Sequence, residues 1–199
     1  EENGGYVGLD HYRRYFVKDG LPISGEYIKK TVDGQTVILP YPVTFQITVR
    51  DFFIKWSVYK KDLYHLRLVI ALFHPDYLGT FDTFMEGRTM SCGNMFVMIW
   101  SNYERYCQWL FDVLEKLESV TDMRGYTDPE KRIYGYMGEL LLNVWILKNN
   151  IRVQYCEVIN TENENVKKRK IVNRLKSVVK GVVYFPTGIP RRRLRMDFR

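Results

Sequence analysis

Tyr6-Val7-Gly8-Leu9-Asp10-His11-Tyr12-Arg13-Arg14 is the stretch that decides the fold. A short apolar run stops abruptly at an acid, an imidazole and two guanidiniums. This pattern predicts a buried strand that ends in a polar cluster. In α/β proteins the carboxyl ends of strands open onto the crevice where ligands bind. An acid and an imidazole there, Asp10 and His11, can hold a divalent ion such as Mn2+ or Mg2+, while Arg13 and Arg14 can clamp phosphate oxygens. A nucleotide-diphosphate leaving group needs such charge stabilisation as its bond to a sugar breaks. An ordinary surface turn whose arginines pair with acids would use the same residues.

Working outward, residues 17–47 are punctuated by Gly20, Pro22, Gly25, Asp33-Gly34, Pro40 and Pro42 and read as loops and short strands, among them Thr36 to Leu39. Thr48-Val49-Arg50-Asp51 has the chemistry of a helix start. Asp62 opens a second helix with Leu63, Leu66, Val69, Ile70 and Phe73 inward, and Pro75 ends it. Gly87 to Gly93 is a loop before the apolar strand Met95 to Trp100. Ser101-x-x-Glu104 reads as a capping box. The helix behind it carries Tyr106, Leu110, Val113, Leu114 and Leu117. Asp128-Pro129-Glu130 starts another helix, with Ile133, Met137, Leu140, Leu141, Val144, Trp145 and Leu147 as its apolar members. Asn149-Asn150 ends it, and Ile151 to Ile159 is a last strand. The order strand, helices, strand, helix, helix, strand predicts a mixed α/β fold.

Composition bounds the rest. The 199 residues are 46% apolar, 27% charged and 15% aromatic, so the chain can bury a core and is not disordered throughout. The longest apolar run, Leu68 to Phe73, is far short of the ~20 residues that span a bilayer. Cys92, Cys107 and Cys156 are odd in number and lack a Cys-x-x-Cys pairing, which points to a reducing cytoplasm and away from a disulfide framework or zinc ribbon. The net charge of +7 is unevenly placed: residues 167–199 hold 12 basic residues and one acid, so residues 1–166 are mildly acidic. Two units follow, a domain over 1–160 and a basic tail over 161–199.

Motifs exclude more than they propose. The chain has no Gly-x-x-x-x-Gly-Lys, Gly-x-Gly-x-x-Gly, Gly-x-Ser-x-Gly or His-Glu-x-x-His, which removes support for P-loop, Rossmann, serine hydrolase and zincin chemistry. His65 and His74 fall on opposite faces of one helix and cannot share a metal within it.

Three blocks resemble one known family. Tyr6 to Phe16 is similar to the Y-[VI]-G-L-x-H-Y-R-R-Y-F signature of small bacterial glycosyltransferases found in capsule, exopolysaccharide and lipopolysaccharide gene clusters, formerly a domain of unknown function. Asn94-Met95-Phe96-Val97-Met98 and Tyr106-Cys107-Gln108-Trp109-Leu110-Phe111 resemble a second segment of that family. Arg132-Ile133-Tyr134-Gly135-Tyr136-Met137-Gly138-Glu139-Leu140-Leu141 is similar to its R-x-x-G-[FY]-x-x-E-R-L helix, with Leu140 in place of the family's Arg. The resemblance covers residues 6 to about 160. It implies a GT-A-like mixed sheet flanked by helices and sugar transfer from a nucleotide-sugar donor to a surface polysaccharide or lipid-linked acceptor. It also implies a family segment ahead of the first strand, so part of the N-terminal nucleotide-binding half is expected to be missing from this chain. His11, Arg13 and Arg14 carry over directly, whereas the position of Asp10 varies in the family.

Two further residues have a physical reading beside the resemblance. The Asn94 amide can bond sugar hydroxyls, or it can close a turn after Gly93. Glu139 lies in a largely apolar helix, two turns from Arg132. It can act as the general base for an acceptor hydroxyl, or as the partner of Arg132 in a structural link. The expected catalytic residues are thus Glu139 and His11. Asp10, His11, Arg13, Arg14, Asn94 and Arg132 are expected to hold the donor, and Asp10 and His11 any metal.

Residues 166–180 read as a basic amphipathic helix with Ile171, Val172, Leu175, Val178 and Val179 in one stripe, suited to an anionic membrane surface on the cytoplasmic side. A helix packed on the domain would show the same stripe. Nucleic acid fits the arginines at 191–193 and 195 less well, because the tail interleaves few aromatics. A non-catalytic binding or scaffold protein that anchors through this tail is the alternative to a transferase.

Overall fold

Period-two alternation along three strands gives a sheet covered on both faces. The computed structural model describes residues 5–161. Strand β4 (Thr36–Pro40) sends Val37 and Leu39 to one face and Ile38 to the other. Strand β7 (Phe96–Ile99) does the same with Phe96 and Met98 against Val97. Strand β8 (Arg152–Asn160) places Val153 and Tyr155 on the first face and Cys156 and Val158 on the second. Such two-sided burial is what an apolar strand inside a layered α/β fold requires.

The remaining strands are β1 (Tyr6–Leu9), β2 (Arg14–Lys18), β3 (Leu21–Pro22), β5 (Val43–Thr44) and β6 (Thr89–Met90). The main sheet runs β1-β7-β4-β8-β2-β3, with β4 and β8 parallel and the other neighbours antiparallel; β5 and β6 pair separately. Strand β8 is shared along its length: residues 152–156 pair with β4, and 157–160 pair with β2 on the other side. On a flat sheet, four spacings of about 4.8 Å would separate β1 from β2, roughly 19 Å. The link from Leu9 to Arg14 reaches at most about 18 Å when fully extended. It also contains a tight turn in which Arg14 N donates to His11 O at 2.8 Å. The sheet must therefore curl, which brings its two ends together over the carboxyl ends of β1, β4 and β8.

Helices cover both faces. Helix α1 (Gly25–Thr31), with Ser24 as N-cap, packs Tyr27 and Ile28 on the smaller face. Helices α2 (Val49–Trp56), α3 (Lys60–Phe73), α4 (Pro75–Glu86), α5 (Trp100–Val120) and α6 (Ile133–Lys148) bury the larger one. Helix α6 is buried nearly all round, from Ile133 through Ile146, as its apolar letters require of a central helix. No helix among the described residues is long and apolar enough to cross a membrane.

The mixed sheet flanked by helices is the architecture expected from the sequence, with local differences. Strand β1 forms but is not buried: it is an edge strand, with Tyr6 and Leu9 more than 40% exposed. Pro75 does not simply end a helix; it occupies the first turn of α4, where its missing N–H costs nothing. Ser101 and Glu104 form no capping box, because α5 starts at Trp100 directly from β7 and its cap, Ile99, offers no side-chain acceptor. Phe73 and Leu147 are both 54% exposed. A 3-10 turn, Glu130–Arg132, precedes α6 in place of an Asp128 cap. The tail, including 166–180 and the arginines at 191–193 and 195, lies outside the described residues.

Candidate functional site at the carboxyl ends of the strands

Glu139 and Asn143 are the two polar side chains that α6 turns toward one loop, four residues apart and so on one face. The Asn143 amide clamps that loop: Ser91 N donates to Oδ1 at 3.0 Å, and Nδ2 donates to Ser91 O at 3.0 Å and Glu139 O at 2.8 Å. Ser91 Oγ donates to Pro40 O at 2.9 Å, which ties the loop to the end of β4. Beyond the clamp, Gly93 (φ 97°) and Asn94 (φ 48°) take left-handed conformations in succession before β7 begins. Glycine adopts this freely, while asparagine does so at modest cost. The two residues aim the Gly93 N–H at Glu139 Oε2, 3.3 Å away.

Arg14 approaches from the first residue of β2. Its Nη1 lies 3.6 Å from where a Cβ on Gly93 would stand, an ordinary van der Waals distance, so the guanidinium packs beside the loop and it is the positive φ that calls for glycine. Burial pushes the Glu139 carboxyl above the ordinary carboxylate range. The Gly93 N–H and the charges of Arg14 and Arg132 pull it back only in part. The neighbouring Cys92 thiol is pushed up to about 12 by burial, with Glu139 adding to the rise, so it is an inert thiol at neutral pH. The Asn94 side-chain oxygen is buried and has no hydrogen-bond partner among the described residues, and its amide nitrogen faces Gly138 of α6. Buried polar atoms are rarely left so, and a ligand hydroxyl or amide would complete it.

The structure thus gathers Arg14, Asn94 and Glu139, with Arg132 acting on Glu139 through its charge. Arg132 is exposed, its guanidinium 5.8 Å from the Tyr136 ring centre, and among the described residues no hydrogen bond or ion pair joins it to Glu139. His11, Tyr12 and Arg13 form a separate exposed stack on the turn, with the His11 ring 4.7 Å from Tyr12 and the Arg13 guanidinium 4.4 Å above the same ring. Burial raises the Asp10 carboxyl somewhat, although the residue as a whole is exposed. Asp10 and His11 offer two metal ligands, and among the described residues no group of three such side chains comes together. Sequence reasoning missed Ser91, Gly93 and Asn143; the signal for Asn143 was its i+4 spacing from Glu139 in an apolar helix.

The comparisons with known proteins agree with the architecture. No curated protein is similar enough to match the chain. The solved apo structure of WbbM, described as a bifunctional glycosyltransferase, superposes with a TM-score of 0.70 at 24% identity, over 81% of this chain and 34% of that one. The chain therefore shares a fold with a segment spanning about a third of WbbM's length. A family model described as "Domain of unknown function (DUF4422)" matches residues 1–150. With three quarters of its length matched, the chain is a member of the DUF4422 family.

Proposed function

We propose that the chain is part of a glycosyltransferase that moves a sugar from a nucleotide-sugar donor to a surface polysaccharide or lipid-linked glycan. One observation carries the reading: a half-buried carboxylate with a raised proton affinity, Glu139, stands beside the Arg14 guanidinium and the unpartnered Asn94 oxygen where the strands end. Its shared fold with a chain described as a glycosyltransferase supports it.

In this reading Arg14 binds the donor diphosphate, and Asn94 bonds a sugar hydroxyl. Glu139 takes the proton from the acceptor hydroxyl as that oxygen attacks the anomeric carbon. The carbon–oxygen bond to the diphosphate breaks, its electron pair leaves on the phosphate oxygen, and Arg14 offsets the charge that develops there. The upward shift makes Glu139 a stronger base, while the charges of Arg14 and Arg132 favour its ionised form. His11 and Arg13 flank the donor from the turn. Asp10 and His11 would be this chain's ligands for any Mg2+ or Mn2+, which would supply charge to offset that of the leaving diphosphate. Action on the cytoplasmic side of a membrane, through residues 166–180, belongs to the same proposal.

Calorimetric titration of the full chain with uridine, guanosine and thymidine diphosphates and their sugars tests the reading. Binding of one nucleotide class that Arg14→Ala weakens by roughly ten- to a hundredfold is expected. No binding of any class, or binding indifferent to Arg14, overturns it.

A further inference from the structure

Gln108 and Trp109 belong to a sequence block that resembles the family, yet they stand apart from the Glu139 site. They line a surface cleft of about 440 Å3 where α5 meets the start of α4 and the end of α6. That volume falls within the range of small-ligand sites, roughly 300–1,000 Å3. The Tyr77 and Trp109 rings stack at 4.5 Å and 21° and give the cleft an apolar wall. Polar groups ring it. His74 Nε2 lies 2.7 Å from Asp112 Oδ2, and Arg105 donates to Asn149 Oδ1 at 3.1 Å. Gln108 is exposed and makes no hydrogen bond among the described residues. Trp109 is only 7% exposed, and its indole N–H has no acceptor among the described residues.

We propose that this cleft is a second site, one that binds a neutral saccharide. A pyranose ring has an apolar C–H face and an equatorial rim of hydroxyls that both donate and accept. The aromatic wall matches the face. Gln108 offers a donor and an acceptor; Asn149, whose amide N–H groups already go to Tyr77 Oη and Trp145 O, offers a further lone pair on Oδ1, and the Asp112 carboxylate accepts only. Lys116, and then His74, hold the Asp112 carboxyl below its usual range, so it is an ionised acceptor. Anionic ligands fit less well. An anion would meet carboxylates at the rim: Asp112, already paired with Lys116 and bonded to His74, and Asp76, already paired with Lys148. The cleft shares no lining residue with the Glu139 site, so the inference stands apart from the proposed transfer chemistry.

The test uses the full chain on an array of neutral hexose and N-acetylhexosamine oligosaccharides, with hits titrated by tryptophan fluorescence and saturation-transfer NMR. At least one oligosaccharide should bind, Gln108→Ala and Asp112→Asn should each weaken it tenfold or more, and Glu139→Gln should leave it unchanged. If Asp112→Asn fails to fold by circular dichroism, Gln108→Ala decides alone, since that exposed side chain holds nothing else in place. The inference is overturned if no neutral oligosaccharide binds at millimolar concentration, or if the Gln108 variant binds like the parent. Loss of binding in Glu139→Gln overturns it as well, because the sugar then sits at the other site, as does displacement by uridine diphosphate.

Discussion

The Gly93 N–H donates to Glu139 Oε2 at 3.3 Å and joins the loop before β7 to the central helix. Through that bond the one carboxylate of an otherwise apolar helix is held at the carboxyl ends of the strands, and the Arg14 guanidinium lies against the same glycine.

Glu139→Gln should stabilise the fold at neutral pH while lowering sugar transfer by about 10²–10⁴-fold. Burial raises the Glu139 pKa in the folded state, so ionising it costs more there than in the unfolded chain. A group shifted upward contributes its stability at pH below its unfolded value and loses it as pH rises through the folded value. The variant's advantage in melting temperature should therefore grow as pH rises from the ordinary carboxylate value of 4.5 through the raised folded value, and vanish in acid. A constant difference across that range would place the effect elsewhere.

Arg14→Ala should weaken nucleoside-diphosphate binding by roughly ten- to a hundredfold, the loss of charge-assisted hydrogen bonds. It should also move the acid limb of the pH–rate profile upward, because Arg14 is one of the charges that lower the Glu139 pKa. Arg14→Lys should restore the limb more fully than the affinity, since a lysine returns the charge without the paired geometry.

Asn94→Gly separates fold from function. Glycine relieves the left-handed strain at φ 48° and removes the unpartnered buried oxygen. Stability should hold or rise by up to about 1 kcal/mol. Donor-sugar affinity should fall in the same variant, as measured by calorimetry. Lower stability with unchanged affinity would make Asn94 a turn residue only.

Much of this was legible in the sequence, for reasons that differ from element to element. The apolar runs at β4, β7 and β8 and the 3.6-residue stripe of α5 show themselves, because burial on a face repeats with the backbone period. Helix α4 was hidden by Pro75, which reads as a stop but equally suits a first turn. Helix α1 lay among glycines and prolines that suggested loops and short strands. Strand β1 looks buried by its letters, but whether a strand is central or at an edge depends on partners far along the chain. The site was half legible for the same reason. Glu139 stands out as a carboxylate among apolar neighbours, whereas the division of Arg13 from Arg14 follows from the register of β2 on β8.

Asp62→Ala should cost about 2–4 kcal/mol and lower the melting temperature by on the order of 10 °C. Asp62 is 1% exposed and accepts from Tyr126 Oη at 2.7 Å and from Tyr59 N at 3.1 Å. Tyr59 Oη in turn donates to Glu130 at 2.8 Å, at the turn that leads into α6. Thermal unfolding followed by circular dichroism measures the loss, and a change under 1 kcal/mol would show that the network is not cooperative.

For residues 166–180, the sequence predicts binding of the full chain to liposomes containing phosphatidylglycerol, with release as salt rises and little binding to neutral liposomes. Replacing Leu175 and Val178 with Asp should abolish co-sedimentation, whereas a simple polycation would bind as before.

The sharing of β8 between β4 and β2 has a consequence for how the molecule comes into being. Arg14 and its partner Asn160 stand at opposite ends of the described chain. Closing so long a loop is an entropic cost met only late, and topologies dominated by such contacts fold slowly. During synthesis β2 and β3 emerge well before β8 but cannot dock on it until the ribosome has released it. Arg14 therefore reaches Glu139 only as the β2–β8 pairing closes, and a chain that stops short of β8 would hold its carboxylate without the guanidinium beside it.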